Sequence, residues 1–268
     1  MTLAFSGLAA AWLILVITPL VPGLPPLAGT VVASALLAFA SFAGLYGLAG
    51  LKLAAWHEVA GAAAAGGLWY LVGKADAEGL GRIFLPATAS CLFLLACAMV
   101  GRLLSRLVRE PNLLLPVLVT AAVADLFTVT LGPTHTALEK APQVVRNFSM
   151  TVPKAGSAAG EKGVEGLAAA ASIGVGDFIF AALFLTAAWR HGLETRRAAM
   201  AAAVLAVIAM SAVLLIPALP ALPLLPFIVV GVLVPNAGRF RFSPQEKLAL
   251  AVGVIFLGLL LAAYLLLK

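Results

Sequence analysis

Residues 167–189 read LAAAASIGVGDFIFAALFLTAAW, a run of 23 residues in which Asp177 is the only charged side chain. As a helix rising 1.5 Å per residue, such a run reaches about 35 Å, enough to cross a hydrocarbon layer of about 30 Å. An aspartate well inside it costs about 2.5–3.5 kcal/mol on insertion scales. The stretch therefore predicts two things together: a membrane-embedded helix and an acid kept there for a purpose.

Moving outward, eight more apolar runs predict spans, at 3–21, 29–51, 59–73, 83–107, 113–131, 198–216, 221–234 and 248–267. The third and eighth of the nine are short enough to be tilted or re-entrant. Hydrophobic residues make up 63% of the chain and charged residues only 10%, well below the roughly 25% usual in soluble domains. No polar stretch is long enough for a separate soluble domain, so residues 1–268 form one membrane domain of all-α class, a polytopic helix bundle of about nine spans. The first span lacks a basic leading segment and an A-x-A cleavage site, and is expected to be retained. The net charge of +6 fits Lys and Arg held at helix ends. No basic run is interleaved with aromatics, so nucleic acid is not an expected partner; the lipid bilayer is.

Nine of the eleven acidic residues fall in connections or at span ends, which leaves Asp125 and Asp177 as the deep ones. Asp125 lies seven residues before Gly132, about 10 Å from the membrane edge, and Asp177 ten residues after Leu167, about 15 Å from the same edge. Their spans are consecutive and antiparallel, so the two acids approach one level. With no Lys or Arg placed deep in a span, the best partner for each is the other. Two carboxylates in a low-dielectric site share a proton and titrate as a pair. The ionised member can take a proton from an attacking water while the protonated member donates to a peptide carbonyl, without metal or cofactor. On the carboxylates alone, polar packing, proton or ion transport, and catalysis all stay open.

The other candidates carry less. Cys91 and Cys97 point about 240° apart on a helix and read as apolar packing residues. His57, His135 and His191 have no ligand spacing, so no metal site is expected. Trp56, Trp69 and Trp189 lie near span ends, where an aromatic belt forms.

Local sequence narrows the choice. Gly174-Val175-Gly176-Asp177-Phe178-Ile179-Phe180 resembles the Gly-x-Gly-Asp motif of the presenilin and signal peptide peptidase family of intramembrane aspartic proteases. Ala124-Asp125-Leu126 resembles that family's Tyr-Asp-Leu, with Ala124 in place of the tyrosine. Pro220-Ala221-Leu222, with an overlapping copy at Pro217-Ala218-Leu219, is similar to its Pro-Ala-Leu motif. The order is also the family's: Asp span, long loop, Gly-x-Gly-Asp span, one more span, Pro-Ala-Leu. The resemblance covers residues 113–234. It implies a presenilin-like core at 111–235, with N-terminal spans at 1–110 and an added span at 236–268. It departs from the family in having four rather than five spans before the first Asp, and in continuing past the Pro-Ala-Leu helix.

What the resemblance implies is an intramembrane endopeptidase with Asp125 and Asp177 catalytic and transmembrane peptides as substrates. Gly174, Gly176, Pro220, Ala221 and Leu222 would support the site, the glycines by letting helices pack closely beside the acid. Two rivals remain. A prepilin-type peptidase also uses a Gly-x-Gly-Asp motif, but there it runs on into Val-Lys. A proton-coupled small transporter or channel also uses midplane acids and broken helices. Under nine spans, ten Lys and Arg lie on the side of the N-terminus against seven on the other, four of those seven in the loop between the acids. That bias predicts a cytoplasmic N-terminal side and an outward-facing loop.

Overall fold

The computed structural model describes residues 2–21, 26–75, 79–130, 149–151, 172–216, 222–240, 243–245 and 248. Eight helices account for most of them: α1 Thr2–Ile17, α2 Pro26–Ala49, α3 Ala55–Gly73, α4 Gly81–Leu104, α5 Pro111–Thr130, α6 Val175–Arg190, α7 Thr195–Leu215 and α8 Leu225–Leu233. Short 3-10 turns extend α1, α4 and α8, to Leu20, Leu107 and Arg239. Five of these segments are long and apolar enough to cross a membrane: Thr2–Leu20, Leu27–Ala49, Gly81–Leu107, Pro111–Val129 and Thr195–Leu215. The chain is thus a helical protein with several membrane-compatible segments. The expected span at 248–267 lies outside the described residues except for Leu248.

Helix α6 is the axis of the bundle. Every residue from Ala181 to Ala188 is buried, the pattern of a helix enclosed on all sides. It packs against α4, α2, α5, α7 and α8. Its tightest neighbour is α4, where Gly101 lies against the Ile179 carbonyl and Ala182, leaving no room for a Cβ. On α7, Ala198, Ala202, Ala206 and Ala209 are buried at helical spacing, while Met200, Val204 and Ile208 on the opposite face are exposed as lipid-facing residues would be. Small residues set the other close contacts as well: Gly7 and Gly47 sit directly against the backbones of α2 and α1 respectively. In lipid, where burial of apolar surface gives helices little reason to associate, such close approach supplies the dispersion contact that holds them.

One expectation is corrected. The run at 167–189 is not one continuous helix. Residues Ser172–Gly174 form a strand, β2, paired antiparallel with β1 at Ser149–Thr151, in the register Met150 opposite Ile173. Helix α6 begins only at Val175. Two glycines and two β-branched residues at 173–176 disfavour helix there, so Asp177 stands in the first turn of α6.

The up-and-down order places chain segments at two ends. The start of α3 and the ends of α2, α4 and α6 meet at one end through Glu58, Arg102, Arg106 and Arg190. At the same end Arg239 pairs with Glu194 and His191 bonds the Val108 carbonyl. The last turns of α5 and the first turns of α6 and α8 meet at the other end.

Candidate active site

Three helix termini build the site. Asp125 is five residues from the end of α5, and Asp177 is the third residue of α6. Leu225 opens α8, directly after the Pro-Ala-Leu segment. The three helices contact one another pairwise.

Each carboxylate accepts a backbone N–H. The Gly174 N–H donates to Asp177 Oδ2 at 3.1 Å, so the acid caps the helix it stands on. The Leu225 N–H donates to Asp125 Oδ2 at 3.0 Å across 100 residues of sequence. This second bond is the informative one, because it ties the acid of α5 to an unpaired donor at the N-terminus of another helix. Thr128 Oγ1 donates to the Asp125 carbonyl one turn on, at 3.2 Å. Both acids therefore stand at the end of the bundle where α5, α6 and α8 meet. Both are half-buried, and among the described residues neither has a Lys or Arg partner. Nor, among those residues, are three His, Cys, Asp or Glu grouped as a metal would require.

Phe178 anchors the acid-bearing turn. It is buried and meets Phe93 of α4 edge to face, with ring centroids 6.3 Å apart, while Phe93 lies against Trp69 of α3. The glycines act differently from the expectation. Among the described residues nothing lies within 4 Å of where a Cβ on Gly176 would sit, and a Cβ on Gly174 would meet only Asp177 Oδ2 at 3.4 Å. Close packing of α6 falls to Gly101 instead, and no described residue fills the space at Gly176. Pro220 and Ala221 lie outside the described residues; Leu222 is half-buried and leads through buried Pro223 and Leu224 to Leu225.

Glu58 is the residue that sequence reasoning missed. Placed at the edge of a predicted span, it is fully buried and bonded to three arginines: Arg102 at 3.2 Å, Arg106 at 2.6 Å and Arg190 at 3.4 Å. The available signal was the set of arginines at the ends of two other spans on the same side.

Comparison of the chain with protein-family models, with curated proteins and with solved structures finds no match.

Proposed function

We propose that the chain is an intramembrane aspartic endopeptidase that cleaves membrane-spanning peptides, with Asp125 and Asp177 as its paired acids in a presenilin-like core of about nine spans. The observation that carries this reading is the Leu225 N–H bond to Asp125. It brings the start of α8, which follows the Pro-Ala-Leu segment, onto the same site as the two acids. Asp125, Asp177 and Leu225, each more than 40 residues from the next in sequence, thereby come to one end of the bundle.

In this reading one carboxylate, ionised, takes the proton of the attacking water. The other, protonated, donates to the scissile carbonyl oxygen, and the roles reverse as the amine leaves. That no cation faces the acids among the described residues suits the chemistry, since an arginine would lock either acid in its charged form. The space at Gly176, which no described residue fills, would admit a substrate backbone beside Asp177. The strand pair ends at Gly174, three residues before that acid.

A transport reading draws support from one observation: the strand-to-helix break before Asp177 resembles the broken helices of ion-coupled carriers. Purified protein reconstituted with labelled membrane-spanning peptides separates the two. The protease reading expects new peptide termini inside the apolar segment, lost in Asp125→Asn and in Asp177→Asn while the variants stay folded. Ion flux that depends on Asp177, with no peptide cleaved, would overturn it.

A further inference from the structure

We propose that the arginine cluster at the opposite end of the bundle is a binding site for the phosphate of an anionic phospholipid headgroup. The inference concerns the end remote from the acids and does not rest on the protease reading.

Three guanidinium groups surround one carboxylate, so the cluster carries two positive charges beyond what Glu58 balances. The backbone absorbs part of their hydrogen-bonding capacity: Arg102 donates to the carbonyls of Leu48 and Leu51, and Arg106 to that of Leu53. Those carbonyls carry no formal charge, and the buried Arg102 Nε has no hydrogen-bond partner among the described residues. Arg102 and Glu58 are sealed inside, whereas Arg106 and Arg190 keep 35% and 25% of their side-chain surface exposed. Arg190 engages Glu58 through a single nitrogen, Nη2. Exposed Lys52 and Arg109 add positive charge in the connections that flank the cluster.

The neighbouring apolar residues favour a lipid over a free anion. Trp56, two residues before Glu58, is 66% exposed, and Leu107, next to Arg106, is 73% exposed. An exposed tryptophan and leucine beside partly exposed arginines match the boundary between headgroups and acyl chains. Basic pockets between helices at that level take phosphate headgroups, each basic residue contributing about a fivefold gain in affinity. This end is also the one to which the cation bias assigns the cytoplasmic leaflet, where anionic lipid is concentrated.

The test uses the full-length protein in mixed micelles containing phosphatidylglycerol or phosphatidylcholine, or in detergent with inorganic phosphate. Retained lipid is read by native mass spectrometry and stability by thermal unfolding. Phosphatidylglycerol should be retained about tenfold more than phosphatidylcholine and should raise the unfolding temperature. The variant Arg106→Gln/Arg190→Gln leaves the Glu58–Arg102 pair charge-balanced and should lose that preference. Arg196→Gln/Arg197→Gln, exposed at the same end but outside the cluster, should keep it. Equal retention of the two lipids by the wild type would overturn the site whatever the variants do. Undiminished preference in Arg106→Gln/Arg190→Gln would overturn its location, and stabilisation by inorganic phosphate equal to that by phosphatidylglycerol would overturn the lipid.

Discussion

The two ends of the bundle bury the same functional group in opposite ways. Glu58 has no exposed surface and three arginines on its two oxygens. Asp125 and Asp177 are half-buried, each holds one backbone N–H, and among the described residues no cation faces them. A carboxylate enclosed by guanidinium groups serves as a joint between helices. A pair supported only by neutral donors can exchange a proton, which is what acid–base chemistry needs. Burial of an acid therefore says little until its partners are counted.

That contrast is exposed to direct attack. Glu58→Ala leaves three buried or half-buried arginines without their anion and is expected to cost about 3–5 kcal/mol, read by thermal unfolding in detergent. Asp125→Asn and Asp177→Asn should leave unfolding unchanged or slightly raised, because each removes a charge that has no counter-ion among the described residues. If the two aspartate variants lose as much stability as Glu58→Ala, the acids are structural joints as well and the contrast collapses.

The glycines give a smaller and finer test. Gly101→Ala drives a methyl group into the Ile179 carbonyl and Ala182, so a loss of about 1–3 kcal/mol is expected in the same unfolding measurement. Gly176→Ala places its methyl where no described residue lies and should leave stability within about 0.5 kcal/mol of the wild type, while slowing the proposed cleavage by narrowing the substrate's path. A destabilising Gly176→Ala with normal turnover would return that glycine to the packing role its motif suggested.

Much of this arrangement was legible before any coordinates. Asp125 and Asp177 stood out because hydropathy makes an acid in an apolar run conspicuous. The helix boundaries followed from Pro, Gly and charge to within a few residues, as with α4 at Gly81–Leu104 against the run 83–107. The strand at Ser172–Gly174 was hidden because Ala and Leu around it are strong helix formers, and its pairing partner lies some 20 residues back across the loop. Glu58 was hidden for a different reason. An acid at a span edge looks solvated until the ends of three other helices are brought to it, and that is tertiary information. The bond from Leu225 to Asp125 has no sequence signature either, since any residue except proline carries the donor.

The central claim is that the two uncompensated acids act together on one tetrahedral centre. The most direct measurement is the affinity of a membrane-spanning peptide whose scissile amide is replaced by a hydroxyl-bearing tetrahedral mimic, compared with that of the parent peptide. The account predicts that the wild type binds the mimic at least about a hundredfold more tightly. It also predicts that Asp125→Asn and Asp177→Asn each abolish the difference while still binding the parent peptide. Equal affinity for mimic and parent in the wild type, or a preference that survives in either variant, would contradict it.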